Sequence, residues 1–268
     1  MIAAISDMAV VDPLAELEED VEIGPFCVVG PGVHIGRATR LISQVTLSGR
    51  VRLGQGNTLY PGVVIGAEPQ DLSYRGQPTR VVIGDHNVIR EGVTINRASD
   101  RDQGVTRIGS HCYLMACSHV AHDCQVGDGV ILANGTLLAG HVRVDSHATL
   151  SGNIGVHHFT TIGSYSFVSG LSRVLHDVPP YLLVEGSPAR PRCLNLVGLR
   201  RHDFSEETIA ALSEAHRLIY RTQVGLDHAR EILRSRGMLI PQVNHLLNFV
   251  QEQQEGHSGR ARQRRRAA

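Results

Sequence analysis

The sequence predicts a mainly-β solenoid of hexapeptide repeats followed by a C-terminal α-helical domain. Three observations carry this. The first is a hydrophobic beat of six: from Ile5 every sixth residue through Ile65 is Ile, Val or Leu, the beat returns at Ile83, Ile89 and Ile95, and a third run goes from Ile108 to Val174. Neither an amphipathic helix nor an alternating strand has this period, whereas a coil with three short sides and one inward aliphatic residue per side does. The second is that many beat residues are followed by glycine, among them Gly24, Gly36, Gly54, Gly84, Gly109 and Gly127, read as corners that need positive φ. The third is a change of period after Pro179-Pro180, where strand pairing must stop.

Three sides of six make a coil of 18, so residues 18 apart stack at the spacing of neighbouring strands. The solenoid is expected over 1–188, with little room inside for large rings; aromatics are only 4% of the chain and Trp is absent. The beat breaks twice. Residues 67–80 replace a coil's worth of sequence with a Pro-, Gly- and charge-bearing loop, and residues 97–106 break the register outright, since Ile95 and Ile108 are 13 apart. Loops that leave a rigid scaffold are where function concentrates. Residues 189–255 read as helical. Ser205 is a good N-cap with Glu206 and Glu207 in the first turn, Ile209, Leu212, Ala215 and Ile219 form an apolar face, and further helices are expected near 226–236 and 241–254. They would cap the open end of the solenoid. The tail 256–268, rich in Arg and without an apolar anchor, is expected to be disordered.

Net charge is zero and every one of the 26 basic residues is Arg, so no global field draws the chain to nucleic acid or membrane. None of the five cysteines forms a CxxC pair, and Cys27, Cys112 and Cys124 recur four after a beat residue, as buried small side chains do. With no signal peptide and no transmembrane segment expected, the reading is cytoplasmic.

The histidines are informative by phase. His122, Gly140 and His158 share one position modulo 18, with Asp123 and His141 one residue later, His157 one earlier and His119 three before His122. They converge on one edge over three coils, spanning about 10 Å. A neutral imidazole suits removal of a proton from a hydroxyl near neutral pH. Asp123 could orient it at a corner. The Gly140 amide could stabilise an oxyanion, although a plain corner glycine is the alternative.

These residues resemble the acyl-[acyl-carrier-protein]–UDP-N-acetylglucosamine O-acyltransferases, hexapeptide-repeat enzymes that begin lipid A synthesis. The resemblance covers nearly the whole chain. IGPFCVVGP, PQDLSYRGQPTRVVIGDHNVIRE, HVAHDCQVGDGVILAN, LAGHVRVD, VHHF, DVPPYLLVEG, NLVGLRRHDFS and LIYR carry it. AHDC, LAGHV and the QDL–Y–G–PTR loop in that order are its specific part.

The resemblance implies a left-handed parallel β-helix, an exception to right-handed crossovers, assembled as a homotrimer with sites between subunits. It implies transfer of a 3-hydroxyacyl chain from acyl carrier protein to the 3-position of UDP-N-acetylglucosamine, with His122 as general base, Asp123 orienting it and Gly140 as oxyanion donor. Gln70, Asp71, Ser73, His119, His141, His157 and His158 would line the nucleotide-sugar site, Asn195 and Arg201 would reach it from the C-terminal region, and Gly170 would set acyl-chain depth. No cofactor is implied. No metal is expected, because His119 and His122 are three apart rather than the five of solenoids with a zinc hydratase site.

Four positions depart from the family. Ser73 stands where Lys is expected, with Arg75 as a possible substitute; His158 replaces Gln, Val197 a Glu, and His202 an Arg. All lie toward the nucleotide sugar. Three alternatives stay open: the same chemistry on a variant acceptor, such as the 3-amino sugar or, in a diverged paralogue, another nucleotide sugar; a coenzyme A donor; and a non-catalytic solenoid that binds nucleotide sugar or carrier protein. Arg190, Arg192, Arg200, Arg201, Arg217 and Arg221 could receive the acidic carrier or form a salt-bridged helix face.

Overall fold

The computed structural model describes residues 4–256. The Arg-rich tail expected to be disordered lies, from residue 257 on, outside the described residues. Within them the beat becomes a parallel β-helix whose coils contribute, in rotation, to sheets of eleven, nine and eight strands. Most strands are two residues long, because each side of six spends the rest on a corner. The register is the expected one: Ala4 and Ile5 pair with Glu22 and Ile23, and Leu137 and Leu138 with Gly155 and Val156. Beat residues from Ile23 to Val174 fill the interior, nearly all under 4% exposed. Cys27, Cys112 and Cys124 are buried beside them as free thiols.

Two details of the expected geometry are corrected. Among the glycines after beat residues only Gly66, at φ 86°, has the positive φ of a corner; Gly24, Gly30, Gly36, Gly54, Gly84, Gly109, Gly127 and Gly163 do not. They are needed because the next coil's backbone passes directly over them. A Cβ at Gly36 would stand 2.5 Å from the carbonyl carbon of Gly54, and one at Gly109 2.6 Å from that of Gly127. The left-handed corner falls two residues later, for example at Asp123 and His141, both at φ 61°, and at Phe159, at 65°. The first loop does not replace a coil either. Leu53 pairs with Ile83 and Ile65 with Ile95, both 30 apart, so the segment inserts twelve residues between two sides of one coil. Ile89 pairs with Leu114, 25 apart, across the second loop.

Both loops leave at the edge between the nine- and eight-stranded sheets, from Ala67 to Arg80 and from Asn96 to Val105. The second edge, between the eight- and eleven-stranded sheets, holds a polar column inside the aliphatic core. The Thr39 hydroxyl accepts from Asn57 N, and Asn57 donates to the carbonyls of Gly54 and Gly84. Asn57 Oδ1 accepts from both the backbone and the amide of Asn87, whose own oxygen accepts from Cys112 N.

Strand pairing does not stop at Pro179-Pro180, and the helices do not begin at 189: the backbone resumes the eleven-stranded sheet with Leu182–Gly186, parallel to Phe167–Val168, and Ala189–Leu194 folds back antiparallel on it. Helices α1 (Leu196–Arg201), α2 (Glu206–His216), α3 (Leu226–Ser235) and α4 (Pro241–Gln254) follow. Ser205 caps α2 by accepting from Thr208 N. A π-turn over Arg217–Arg221 then shifts the phase. Leu218 is therefore buried where the unbroken period pointed to Ile219, which packs only partly against the core. The helices bury Leu212, Leu233, Val243 and Leu246 against Tyr181 and Leu182 at the end of the solenoid. No described helix is long and apolar enough to cross a membrane.

Candidate active site

The histidine column forms on the edge from which both loops leave. His119 sits on a strand of the nine-stranded sheet, and the chain turns through His122 and Asp123 into the eight-stranded sheet. Neighbouring residues on a strand face opposite sides, but the left-handed corner at Asp123 breaks that alternation. His122 Nδ1 and Asp123 Oδ2 consequently meet at 2.8 Å, both residues buried. An ionised carboxylate only accepts, so Nδ1 carries the proton and Nε2 is left basic. Over Gly140 one coil on, the imidazole lies so close that a Cβ there would be 2.5 Å from His122 Cε1 and 2.6 Å from Nε2. Gly140 has no positive φ. It is therefore a close-approach glycine, and its amide N–H, lining the cavity, has no acceptor among the described residues.

Asp123 is held from the second loop. Its Oδ2 accepts from the Ser99 hydroxyl at 2.6 Å and from Ser99 N at 3.1 Å, while its backbone N–H donates to Thr106 Oγ1. Burial alone would raise this carboxyl, but the hydrogen bonds from His122 and Ser99 and the neighbouring His141 outweigh it and hold it below the ordinary range. Ser99 has no phase on the beat, since the loop breaks register; a short polar residue beside that break was the only signal. Ser99→Ala removes a hydrogen bond to a charged group, so kcat should fall about tenfold with KM nearly unchanged. Ser99→Thr should recover most of it. Steady-state kinetics on the two variants check this.

His141 crosses His122 edge-on at 5.2 Å between ring centres and stacks on Phe159 at 4.5 Å. Its Nε2 stands 3.6 Å from Asp123 Oδ2. His122, Asp123 and His141 each bring a ligand atom within 4.8 Å of the others. The carboxylate oxygen between the rings accepts from His122 and Ser99, which makes His122 and Asp123 an acid–base pair with His141 beside it. His119 Nδ1 is fixed by Thr94 Oγ1 at 2.7 Å. His157 and His158 stand edge to face on the next coil.

A cavity of about 400 Å³ opens over this edge and along the nine-stranded sheet. It is lined by Gln70, His119, His122, Gly140, His157 and His158, and further along the sheet by Leu137, Gly155 and Arg173. Asp71 stands beside it. Hydrogen bonds from the Ser73 backbone and hydroxyl hold its carboxyl below the usual range, with Arg101 and His122 adding to the effect. Arg75 does not take the place of a cation at Ser73, because its guanidinium turns back onto the carbonyls of Leu72 and Tyr74.

Asn195 and Arg201 are not brought to this edge. Asn195 caps α1, accepting from Gly198 N and donating to the Tyr165 carbonyl, and His202 packs on His147 and Tyr165. These groups stand at the edge between the eight- and eleven-stranded sheets. Gly170 is at the third edge, where the eleven-stranded sheet turns toward Arg173.

The electrostatics also predict a pH dependence of stability. Burial, the largest influence on each, lowers the pKa of His119, His147, His158 and His216 below the ordinary value near 6.5. The folded chain thus binds fewer protons than the unfolded chain between those lowered values and about 6.5. Stability is full above that window and falls as pH drops through it. Scanning calorimetry should show Tm declining from about pH 7 to about pH 5.5; a flat Tm there contradicts the burial of neutral imidazoles.

A parallel β-helix that carries a buried His–Asp pair over a bare glycine amide defines the class of hexapeptide-repeat transferases. Comparison with known proteins agrees. Residues 106–140 match the bacterial transferase hexapeptide model, and residues 177–258 match domain 2 of UDP N-acetylglucosamine O-acyltransferase. An acyl-[acyl-carrier-protein]–UDP-N-acetylglucosamine O-acyltransferase of Thermodesulfovibrio yellowstonii is 43% identical, covering 94% of this chain and 98% of the relative. One of Halorhodospira halophila is 45% identical, over 92% and 96%. Among solved structures, LpxA from Acinetobacter baumannii superposes with TM-score 0.88 at 40% identity, covering 96% of this chain and 98% of the other. LpxA from Bacteroides fragilis, a UDP-N-acetylglucosamine acyltransferase, does so with TM-score 0.88 at 37% identity, over 92% and 96%. The chain belongs to the acyl-[acyl-carrier-protein]–UDP-N-acetylglucosamine O-acyltransferase family, and its fold is the left-handed parallel β-helix.

Proposed function

We infer that this protein transfers a 3-hydroxyacyl chain from acyl carrier protein to the 3-hydroxyl of UDP-N-acetylglucosamine, a step of lipid A synthesis. The observation that carries the reading is His122, whose Nδ1 is tied to Asp123 while its Nε2 lies over the unpaired amide of Gly140.

In the proposed mechanism Nε2 takes the proton of the sugar 3-hydroxyl as its oxygen attacks the thioester carbonyl. The imidazolium so formed is stabilised by Asp123, which Ser99 keeps ionised. The carbonyl electrons move onto oxygen, where the Gly140 N–H donates to them in a water-poor site. Collapse of the tetrahedral intermediate breaks the carbon–sulfur bond, and His122 returns its proton to the departing thiolate. Gln70, Asp71, Ser73, His119, His141, His157 and His158 bind the nucleotide sugar. The acyl chain runs along the nine-stranded sheet toward Gly170, past Leu137, which is half exposed, and Gly155, whose missing side chain leaves open space.

A homotrimer is part of this proposal. Asn195 and Arg201 stand at a different edge from His122, and a heterologous contact brings that edge of one copy to the histidine edge of another. Arg192, Arg200 and Arg217 are paired with Glu185, Glu206 and Glu214. Arg190 and Arg201 make no ion pair among the described residues, and they are the proposed contacts for the acidic carrier. The cytoplasm is the proposed compartment, in keeping with five free thiols.

The test is product mass from purified protein given a ladder of 3-hydroxyacyl carrier proteins, with UDP-N-acetylglucosamine or its 3-amino analogue. An ester from the first sugar, made by a species with three times the chain mass in solution, is expected. Amide alone moves the acceptor to the amine. Silence in both, from folded trimer, removes the reading.

A further inference from the structure

We propose that Arg101, on the second loop, is a specificity-determining residue that seats the diphosphate of the nucleotide-sugar acceptor. This rests on the acyltransferase reading above.

Its guanidinium Nη2 donates to Ser73 Oγ at 2.6 Å, and Ser73 Oγ donates in turn to Asp71 Oδ1 at 2.8 Å. Asp71 also feels the charge of His122, so the chain Arg101–Ser73–Asp71 leads from the second loop into the field of the catalytic base. Arg101 is anchored at its base by its own N–H, which donates to Ser99 Oγ, the hydroxyl that holds Asp123. The two loops are further tied by Gln77 to Asp100 and by Arg97 to Tyr74. Arg101 is therefore a placed cation, even though it is exposed.

The acceptor needs such a group. It carries a nucleoside diphosphate a sugar ring away from the reacting hydroxyl. Two other loop cations point away from Asp71: Arg97 toward Glu68 and the Gly66 carbonyl, Arg75 toward its own backbone. Arg173 lines the cavity farther along the sheet. The planar fork of Arg matches phosphate oxygens, which a lone hydroxyl at position 73 cannot do. The Arg101–Ser73 pair thus divides the work of a single cationic side chain: the hydroxyl orders Asp71 and the guanidinium brings the charge from the neighbouring loop.

The test is a two-residue cycle in the full-length protein. Arg101→Ala should raise KM for UDP-N-acetylglucosamine about tenfold or more, the loss expected for a charge-assisted contact, with KM for the acyl carrier unchanged. Ser73→Lys alone sets an ammonium beside the guanidinium and should also impair the enzyme. In the double variant the charge returns at nearly the same point, so KM should recover toward the parent. Calorimetric binding of UDP alone reads the same contact without turnover. It therefore judges Arg101 even if no ester forms and the acyltransferase reading falls. Unchanged UDP affinity and KM in Arg101→Ala, or no recovery in the double variant with Tm retained, overturns the assignment.

Discussion

His122→Ala is expected to lower kcat by about a thousandfold, within the range for loss of a general base, while UDP-N-acetylglucosamine binds within about threefold of the parent affinity. The asymmetry follows from where the ring sits. Its Nδ1 is spent on Asp123, and in the proposed mechanism its Nε2 takes the proton of the reacting hydroxyl, so it would contribute to the transition state more than to the bound ground state. The proposed nucleotide-sugar contacts are spread over the loops and the other histidines and should survive the change. Rapid-quench turnover together with calorimetric binding checks both halves. Retained turnover would remove His122 from the mechanism and leave a binding solenoid.

Gly140→Ala should be nearly as damaging, by another route. The added Cβ lands 2.5 Å from His122 Cε1, closer than real Cβ atoms stand, and the ring has little freedom because Asp123 grips its other side. Either the imidazole or the Gly140 backbone must shift. A displacement on the order of 1 Å costs about a hundredfold in rate, and the overpacking costs about 1–3 kcal/mol of stability. The background distinguishes this from a general defect. In His122→Ala the ring is gone, so the stability loss of Gly140→Ala should largely vanish. Tm of the four proteins in that cycle is the measurement. A loss of equal size in both backgrounds would mean that the alanine clashes with something other than the ring.

The parts legible in sequence are those under a periodic constraint. An inward position every sixth residue admits only aliphatics, so the coil, its register from Ile5 to Ile65 and the stacking of His122 over Gly140 could be counted out. So could α2, whose Ser205 cap and apolar face are local. What could not be counted sits where the period fails. Ser99 and Arg101 lie in a segment with no phase, and their roles appear only once Asn96 and Val105 are pinned to the same edge as His122. The glycines misled for a related reason. Their spacing is visible, but it cannot say whether a missing Cβ serves a dihedral angle or a close neighbour, and Gly36 and Gly140 serve neighbours. Asn195 and Arg201 stand at another edge of the solenoid, and only the proposed trimer would bring them to the histidines.

The buried column from Thr39 through Asn57 and Asn87 to Cys112 has a consequence for how the molecule tolerates change. A tower of identical aliphatic rungs is nearly degenerate: one valine stacks on another as well at the wrong level as at the right one. The amides make the levels distinguishable, because a slip by one rung would leave an Asn without its partner in an apolar interior. They span the stretch where a coil lengthens from 18 residues to 30 and then to 25. The tower is keyed where it is most irregular. Insertions at the histidine edge can therefore be lengthened or shortened without moving His122 and Asp123 above them, since the opposite wall has already counted the floors.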